Sequence, residues 1–219
     1  MKRTTFFYRN SLSIVFLSLF VFTWLAQAWT GWKEHNEDLA NAGAKLLLLS
    51  DYLRSGHFIS ATFENFQSEF LQMALYVVLT ISLRQQGSAE SKQLEGKEEV
   101  DREPKPSADA PWAVRKGGWI LKLYSNSLSL TFFALFLISW ALHLYGSWQD
   151  FNVEQVLDDK DRVDLISYLV EPTFWFETFQ NWQSEFLSVA SIVILTIYLR
   201  QQGSPESKPV DAPHMETGK

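Results

Sequence analysis

NFQSEFL at residues 65–71 and NWQSEFL at residues 181–187 are one seven-residue block written twice, 116 positions apart. Working outward at that offset, residues 8–92 align with residues 124–208 without a gap, and roughly 37 of 85 positions are identical. LRQQGSAESK at 83–92 returns as LRQQGSPESK at 199–208, and NSLS at 10–13 returns at 126–129. Identity on that scale marks an internal duplication.

Each copy has an apolar run, a polar connector containing a short amphipathic piece, and a second apolar run. Four spans follow, at about 11–30, 64–84, 126–146 and 180–200. The first and third match the roughly 20 residues that cross a hydrocarbon core of about 30 Å. The second and fourth have apolar cores at 70–83 and 186–199 only. They reach full length by drawing the NFQSEFL and NWQSEFL blocks, polar groups included, into the membrane. The expected fold is therefore all-α and integral to the membrane, with four transmembrane helices as two tandem two-helix repeats in parallel orientation. Residues 1–92 form the first repeat, 93–117 a flexible cytoplasmic linker, 118–208 the second repeat and 209–219 a disordered cytoplasmic tail.

The mean hydropathy of −0.08 looks like that of a soluble protein. The average conceals a separation: 47% hydrophobic residues gather in a few blocks, and residues 90–116 and 206–219 are almost wholly polar. Nine Trp and 17 Phe, many at block ends, fit rings anchored at the membrane interface. LLLLSDYL at 46–53 and VDLISYL at 163–169 read as short interfacial helices in the outer connectors, the second followed by Phe174, Trp175, Phe176, Phe179 and Trp182. The chain has no cysteine, which excludes disulfides, thiolate nucleophiles and cysteine metal sites. A net charge of −6 gives nucleic acid no foothold.

Lys2, Arg3 and Arg9 ahead of an apolar run and Ala26-Gln27-Ala28 resemble a cleavable signal peptide. The same segment recurs in the interior at 127–145, so the first copy is read as a retained span. Lys2, Arg3, Arg9, Arg84, Lys92, Arg115, Lys116, Lys122, Arg200 and Lys208 fall on one side. Only Lys33, Lys45, Arg54, Lys160 and Arg162 fall on the other. Excess Lys and Arg mark the cytoplasmic side. Both termini and the linker are therefore expected in the cytoplasm.

Helical spacing of three and four places Asn65, Glu69, Gln72, Tyr76 and Thr80 on one stripe, matched by Asn181, Glu185, Ser188, Ile192 and Thr196. On the first and third spans, Trp24 with Gln27 and Trp140 with His143 continue the faces begun at Asn10 and Asn126. These faces are expected to look inward. At about 1.5 Å per residue, Glu69 and Glu185 stand about 22 Å above Arg84 and Arg200. Gln27 and His143 reach about 25 Å above Asn10 and Asn126. Gln27, Glu69, His143 and Glu185 are thus the candidate intramembrane polar layer, and Asn65, Gln72, Asn181, Ser188, Trp24 and Trp140 its supporting stripe. Such a layer either fixes helix packing or relays protons. His35 with Glu34, Glu37 and Asp38, and Asp158 with Asp159 and Asp161, could be arranged as metal ligands, but neither spacing is specific; they read instead as solvated acidic loops, and their positions do not match between the copies.

The blocks NWQSEFL, LRQQGSPESK and NSLSL, twice over in one chain, resemble a family of small bacterial membrane proteins classed as a domain of unknown function. The resemblance implies a multi-pass protein of the bacterial cytoplasmic (inner) membrane and carries no catalytic residues with it. No nucleophile–base set, phosphate loop, metal motif or cofactor motif is present, so an enzyme is not expected. The expected role is a non-enzymatic membrane scaffold or interaction protein. Its partners would be the lipid bilayer and a second copy or another membrane protein. The alternative is a small proton, ion or solute transporter or channel component with a polar site at the repeat interface.

Overall fold

The computed structural model describes residues 5–218, and Lys2, Arg3 and Lys219 lie outside the described residues. Among the described residues the chain is all-helical, with no strand. In order come α1 (Phe6–Arg9), α2 (Ser11–Asn41), α3 (Leu49–Tyr52), α4 (Gly56–Ser82), a 3₁₀ turn (Glu99–Asp101), α5 (Trp112–Lys116), α6 (Gly118–Ser125), α7 (Ser127–Leu157), α8 (Leu165–Tyr168) and α9 (Pro172–Tyr198). The paired elements α2/α7, α3/α8 and α4/α9 have equal lengths of 31, 4 and 27 residues.

Two helices, α2 and α7, are long and apolar enough to cross a membrane. Only 6% and 11% of their most apolar stretches are buried, unlike the core helix of a soluble protein. Leu12, Phe16 and Phe22 on α2, and Leu128, Leu137 and Ile138 on α7, stand exposed. Thirty-one residues rise about 46 Å, so both helices overrun the expected spans by some ten residues. Hydropathy marks where a helix is apolar, and these helices continue as polar turns through Lys33–Glu34 and Gln149–Asp150.

The other two expected spans, α4 and α9, have the length but fall short of the same apolar mark. Gln67, Ser68, Glu69 and Gln72 on α4, and Asn181, Gln183, Ser184 and Glu185 on α9, explain the shortfall. Two helices, not four, therefore meet the criterion.

The chain divides into two compact units: Met1–Thr62 with Leu142–Glu171, and Phe63–Ala141 with Pro172–Lys219. Each unit takes material from both copies of the repeat.

The first unit holds both connectors, each clamped by the same residues. Trp32 Nε1 donates to the Leu47 carbonyl at 2.8 Å, and Asn36 bonds both the carbonyl and the N–H of Leu47. Trp148 and Asn152 do the same to Val163. Asn and Trp thereby satisfy the half-buried backbone of Leu47 and Val163 where the chain reverses. In this unit the start of α4 also crosses the end of α7 backbone to backbone. A Cβ on Gly56 would lie 2.5 Å from the Asp150 nitrogen, and one on Gly146 would lie 2.5 Å from the Ser60 nitrogen. Glycine is required there because any side chain would part the helices, as at small-residue crossings generally.

Candidate functional site

The second unit shows what the repeated LRQQGS motif does. Arg84 Nε donates to the Gln93 carbonyl at 3.2 Å, while its Nη1 caps the Ile81 and Leu83 carbonyls at the end of α4. The Ser91 hydroxyl accepts from the Gln85 N–H at 3.0 Å and donates to the Lys92 carbonyl. In the second copy Arg200 reaches the Pro209 carbonyl at 3.2 Å and caps Ile197 and Leu199, and Ser207 accepts from Gln201. Gly87 and Gly203 turn the chain at φ +81° and +82°, the left-handed region that glycine enters without strain. The motif is thus a helix C-cap knot that satisfies the last-turn carbonyls.

The two knots then diverge. Lys92 pairs with Asp101. Lys208 is 2% exposed, and its ammonium donates to the carbonyls of Gly87 at 2.5 Å, His214 at 2.8 Å, Glu216 at 2.7 Å and Pro213 at 3.2 Å. Gly87 N–H donates to Thr217 Oγ1, Gly218 N–H to the Ser88 carbonyl, and Ser88 Oγ meets Thr196 Oγ1 at 3.2 Å. The C-terminal residues and the end of α9 are in this way tied onto the first copy's knot.

Above the knots, α4 and α9 meet along a polar seam. Trp182 Nε1 donates to Gln67 Oε1 at 2.8 Å, and Gln72 Nε2 donates to the Glu185 carbonyl at 3.1 Å. The carboxyls of Glu69 and Glu185 stand close enough to act on each other electrostatically. Higher on the same helices the carboxylates of Glu64 and Glu177 come within 4.8 Å of one another. Below the seam is a cavity of about 290 Å³. Gln72, Tyr76 and Thr80 line one wall and Val189 and Val193 the other, with Arg84 and Glu90 at its end. The Tyr76 hydroxyl donates to the Glu90 carboxylate.

The expected site residues fall as follows. Glu69 and Glu185 come together in the second unit, with Gln72 against Glu185. Asn65, Glu69 and Ser188 are exposed, whereas Gln72, Asn181 and Glu185 are half-buried. The buried face of α4 is instead Gln67, Ser68, Leu71 and Ala74, displaced around the helix from the expected stripe. The seam is asymmetric: Gln67 is fully buried, while its second-copy counterpart Gln183 is exposed. Two identical surfaces meeting each other cannot both use the same face unless a two-fold axis relates them. Trp140 packs on Phe174 and Trp175 in this unit. Gln27 and His143 belong to the first unit, Gln27 half-buried and His143 fully buried. There Trp24 packs on Phe20 and Phe58.

The first unit also gives His35 a partner that the sequence did not reveal. His35 on α2 and His57 on α4 face each other with ring centroids 4.7 Å apart. Buried Tyr52 shares a 3.1 Å hydrogen bond with His57 Nδ1. Both imidazoles lie past the apolar part of their helices. Burial lowers the pKa of His57 against the opposing pull of Glu34 and Asp38. Burial and then His57 lower that of His35. Burial, with Asp150 and Glu34 adding, pushes the Tyr52 phenol up to about 12.

A family model described as a domain of unknown function, DUF6766, matches residues 3–219. The chain belongs to the DUF6766 family. No curated protein and no solved structure matches this DUF6766 chain. The match spans both LRQQGS motifs. In this DUF6766 chain Arg84, Ser91, Arg200, Ser207 and Lys208 of the repeated motif are occupied by capping and cross-linking. The groups left with chemistry to offer are the Glu69–Glu185 and Glu64–Glu177 carboxyl pairs, the cavity beneath them, and the His35–His57 pair.

Proposed function

We propose that the chain is a four-span protein of the bacterial cytoplasmic membrane, both termini cytoplasmic, that works as a non-enzymatic scaffold for a second copy or another membrane protein. One observation carries this reading: Arg84, Arg200, Gln67, Gln72 and Trp182 are bonded within the chain, while the long faces of α2 and α7 are exposed and apolar. A chain built this way offers the bilayer and its neighbours the apolar helix surface of α2 and α7. The seam also supports α4 and α9 as the two further spans, because helices too polar to enter lipid alone do so when their polar side chains bond each other.

A second reading, a small proton, ion or solute carrier, draws support from the Glu69–Glu185 pair above the cavity. Reconstitution in vesicles separates the two. The scaffold reading expects no proton or ion flux through wild type, and a lower melting temperature for Glu185→Gln and the Glu69→Gln/Glu185→Gln double variant. Flux through wild type that is abolished in Glu185→Gln would reject the scaffold in favour of the carrier.

A further inference from the structure

We propose that His35 and His57 form a binding site for one divalent transition-metal ion of the copper, nickel or zinc class, in the first connector. The two rings come from different helices and stand 4.7 Å apart, tilted by 30°. A metal about 2.1 Å from one nitrogen of each ring, in line with both centroids, would lie roughly 3.2 Å from each, and rings at this spacing would then subtend roughly 90° at it. That is the angle between neighbouring ligands in square-planar and octahedral sites, and it is about 20° below the tetrahedral angle of zinc sites. Both rings are half-buried, which leaves an approach for an ion.

The surroundings fit. Metal-bound imidazole commonly has its other nitrogen held by a second group that fixes the tautomer and ring orientation. Tyr52, 1% exposed and packed among Ala28 and Phe58, holds His57 at Nδ1 and leaves Nε2 for the ion. Glu34 and Asp38, one turn apart on α2, act electrostatically on His57 and make the approach favourable to a cation, while water fills the remaining coordination positions.

The second copy is a built-in control for a purely architectural role. Its connector is clamped by the same Trp and Asn bonds, yet Phe151 and Thr173 stand where His35 and His57 stand in the first. There Phe151 packs on Tyr168 with centroids 5.1 Å apart, and the Ser147 hydroxyl bonds the Tyr168 hydroxyl. Gly31 replaces that serine in the first copy, and a Cβ at Gly31 would run into the Tyr52 hydroxyl. Without a serine partner, the Tyr52 hydroxyl turns to His57. Gly31, His35 and His57 thus differ from the second copy as a set, and the connector folds without imidazole.

The inference is independent of the scaffold reading. Titrating the tag-free full chain in detergent with Zn²⁺ by calorimetry should give about one ion per chain, together with a rise in melting temperature. His35→Phe/His57→Thr, which installs the second copy's residues, should abolish both effects, and Glu64→Gln/Glu177→Gln should keep them. Should the double histidine variant fail to fold, Cu²⁺ paramagnetic resonance on wild type decides, with coupling to two imidazole nitrogens expected. Absence of saturable Zn²⁺ binding to wild type, unchanged binding in a folded His35→Phe/His57→Thr variant, or a Cu²⁺ spectrum without two-nitrogen coupling would overturn the proposal.

Discussion

Gly87 and Gly203 occupy the same position in the two knots and adopt the same backbone, φ +81° and +82°. Replacing either with alanine costs about 1–2 kcal/mol for an L-residue in the left-handed region. Their surroundings differ. A Cβ on Gly203 meets nothing within 4 Å, whereas one on Gly87 would stand 2.6 Å from the His214 carbonyl oxygen and 3.0 Å from Ile197 Cγ2. The first contact is with backbone, so the tail must move. Overpacking of this kind adds about 1–3 kcal/mol. For a chain of this size each kcal/mol lowers the melting temperature by roughly 2–4 °C. Gly203→Ala should therefore lose a few degrees in detergent-purified protein followed by circular dichroism, and Gly87→Ala several degrees more. Gly87→Ala should also raise hydrogen exchange at the amides of residues 87 and 218, which bond Thr217 Oγ1 and the Ser88 carbonyl. Equal losses in the two variants, with exchange at those amides unchanged, would refute the docking of the tail onto the first knot.

Two further outcomes follow from the first unit. Gly146→Ala places a Cβ 2.5 Å from the Ser60 nitrogen and 3.0 Å from the Gly56 carbonyl oxygen. It should cost about 1–3 kcal/mol by parting α4 and α7, read as a lower melting temperature; an unchanged one would contradict the crossing. Asp164 caps α8 through the N–H groups of Ile166 and Ser167 and the Ser167 hydroxyl, which together lower its carboxyl pKa. A depressed folded pKa means the stabilisation is complete above the ordinary aspartate range and lost as pH falls through the folded value. Amide exchange at Ile166 and Ser167 should therefore rise on acidification below about pH 4 in wild type but be insensitive to that change in Asp164→Ala.

Much of the fold was legible because duplication writes it twice. Arg84, Gly87 and Ser91 recur as Arg200, Gly203 and Ser207, and both sets make the same cap. Trp32 and Asn36 recur in the same way as Trp148 and Asn152. The length of α2 and α7 was legible only in part, since their polar extensions carry no hydropathy signal. The seam was legible as a polar stripe but not in its facing. Gln67 and Gln183 are identical in sequence, and only docking decides that one is buried and the other exposed. The histidine pair escaped because the repeat points away from it: His35 and His57 align with Phe151 and Thr173. They lie 22 residues apart on separate helices, and a spacing of that length has no signature until the turn at Tyr52 closes it.

The central claim is that four helices cross the membrane, and accessibility of single cysteines tests it directly. The chain has no cysteine of its own, so Ala42→Cys, Ser107→Cys and Asp161→Cys each report one position. Four spans place 42 and 161 outside and 107 in the cytoplasm. In intact cells an impermeant maleimide should therefore label Ala42→Cys and Asp161→Cys, and should label Ser107→Cys only after the membrane is opened. If α2 and α7 alone cross, 42 and 107 share a side and 161 lies opposite. Labelling of Ala42→Cys and Ser107→Cys together in intact cells, with Asp161→Cys protected, would contradict the four-span account.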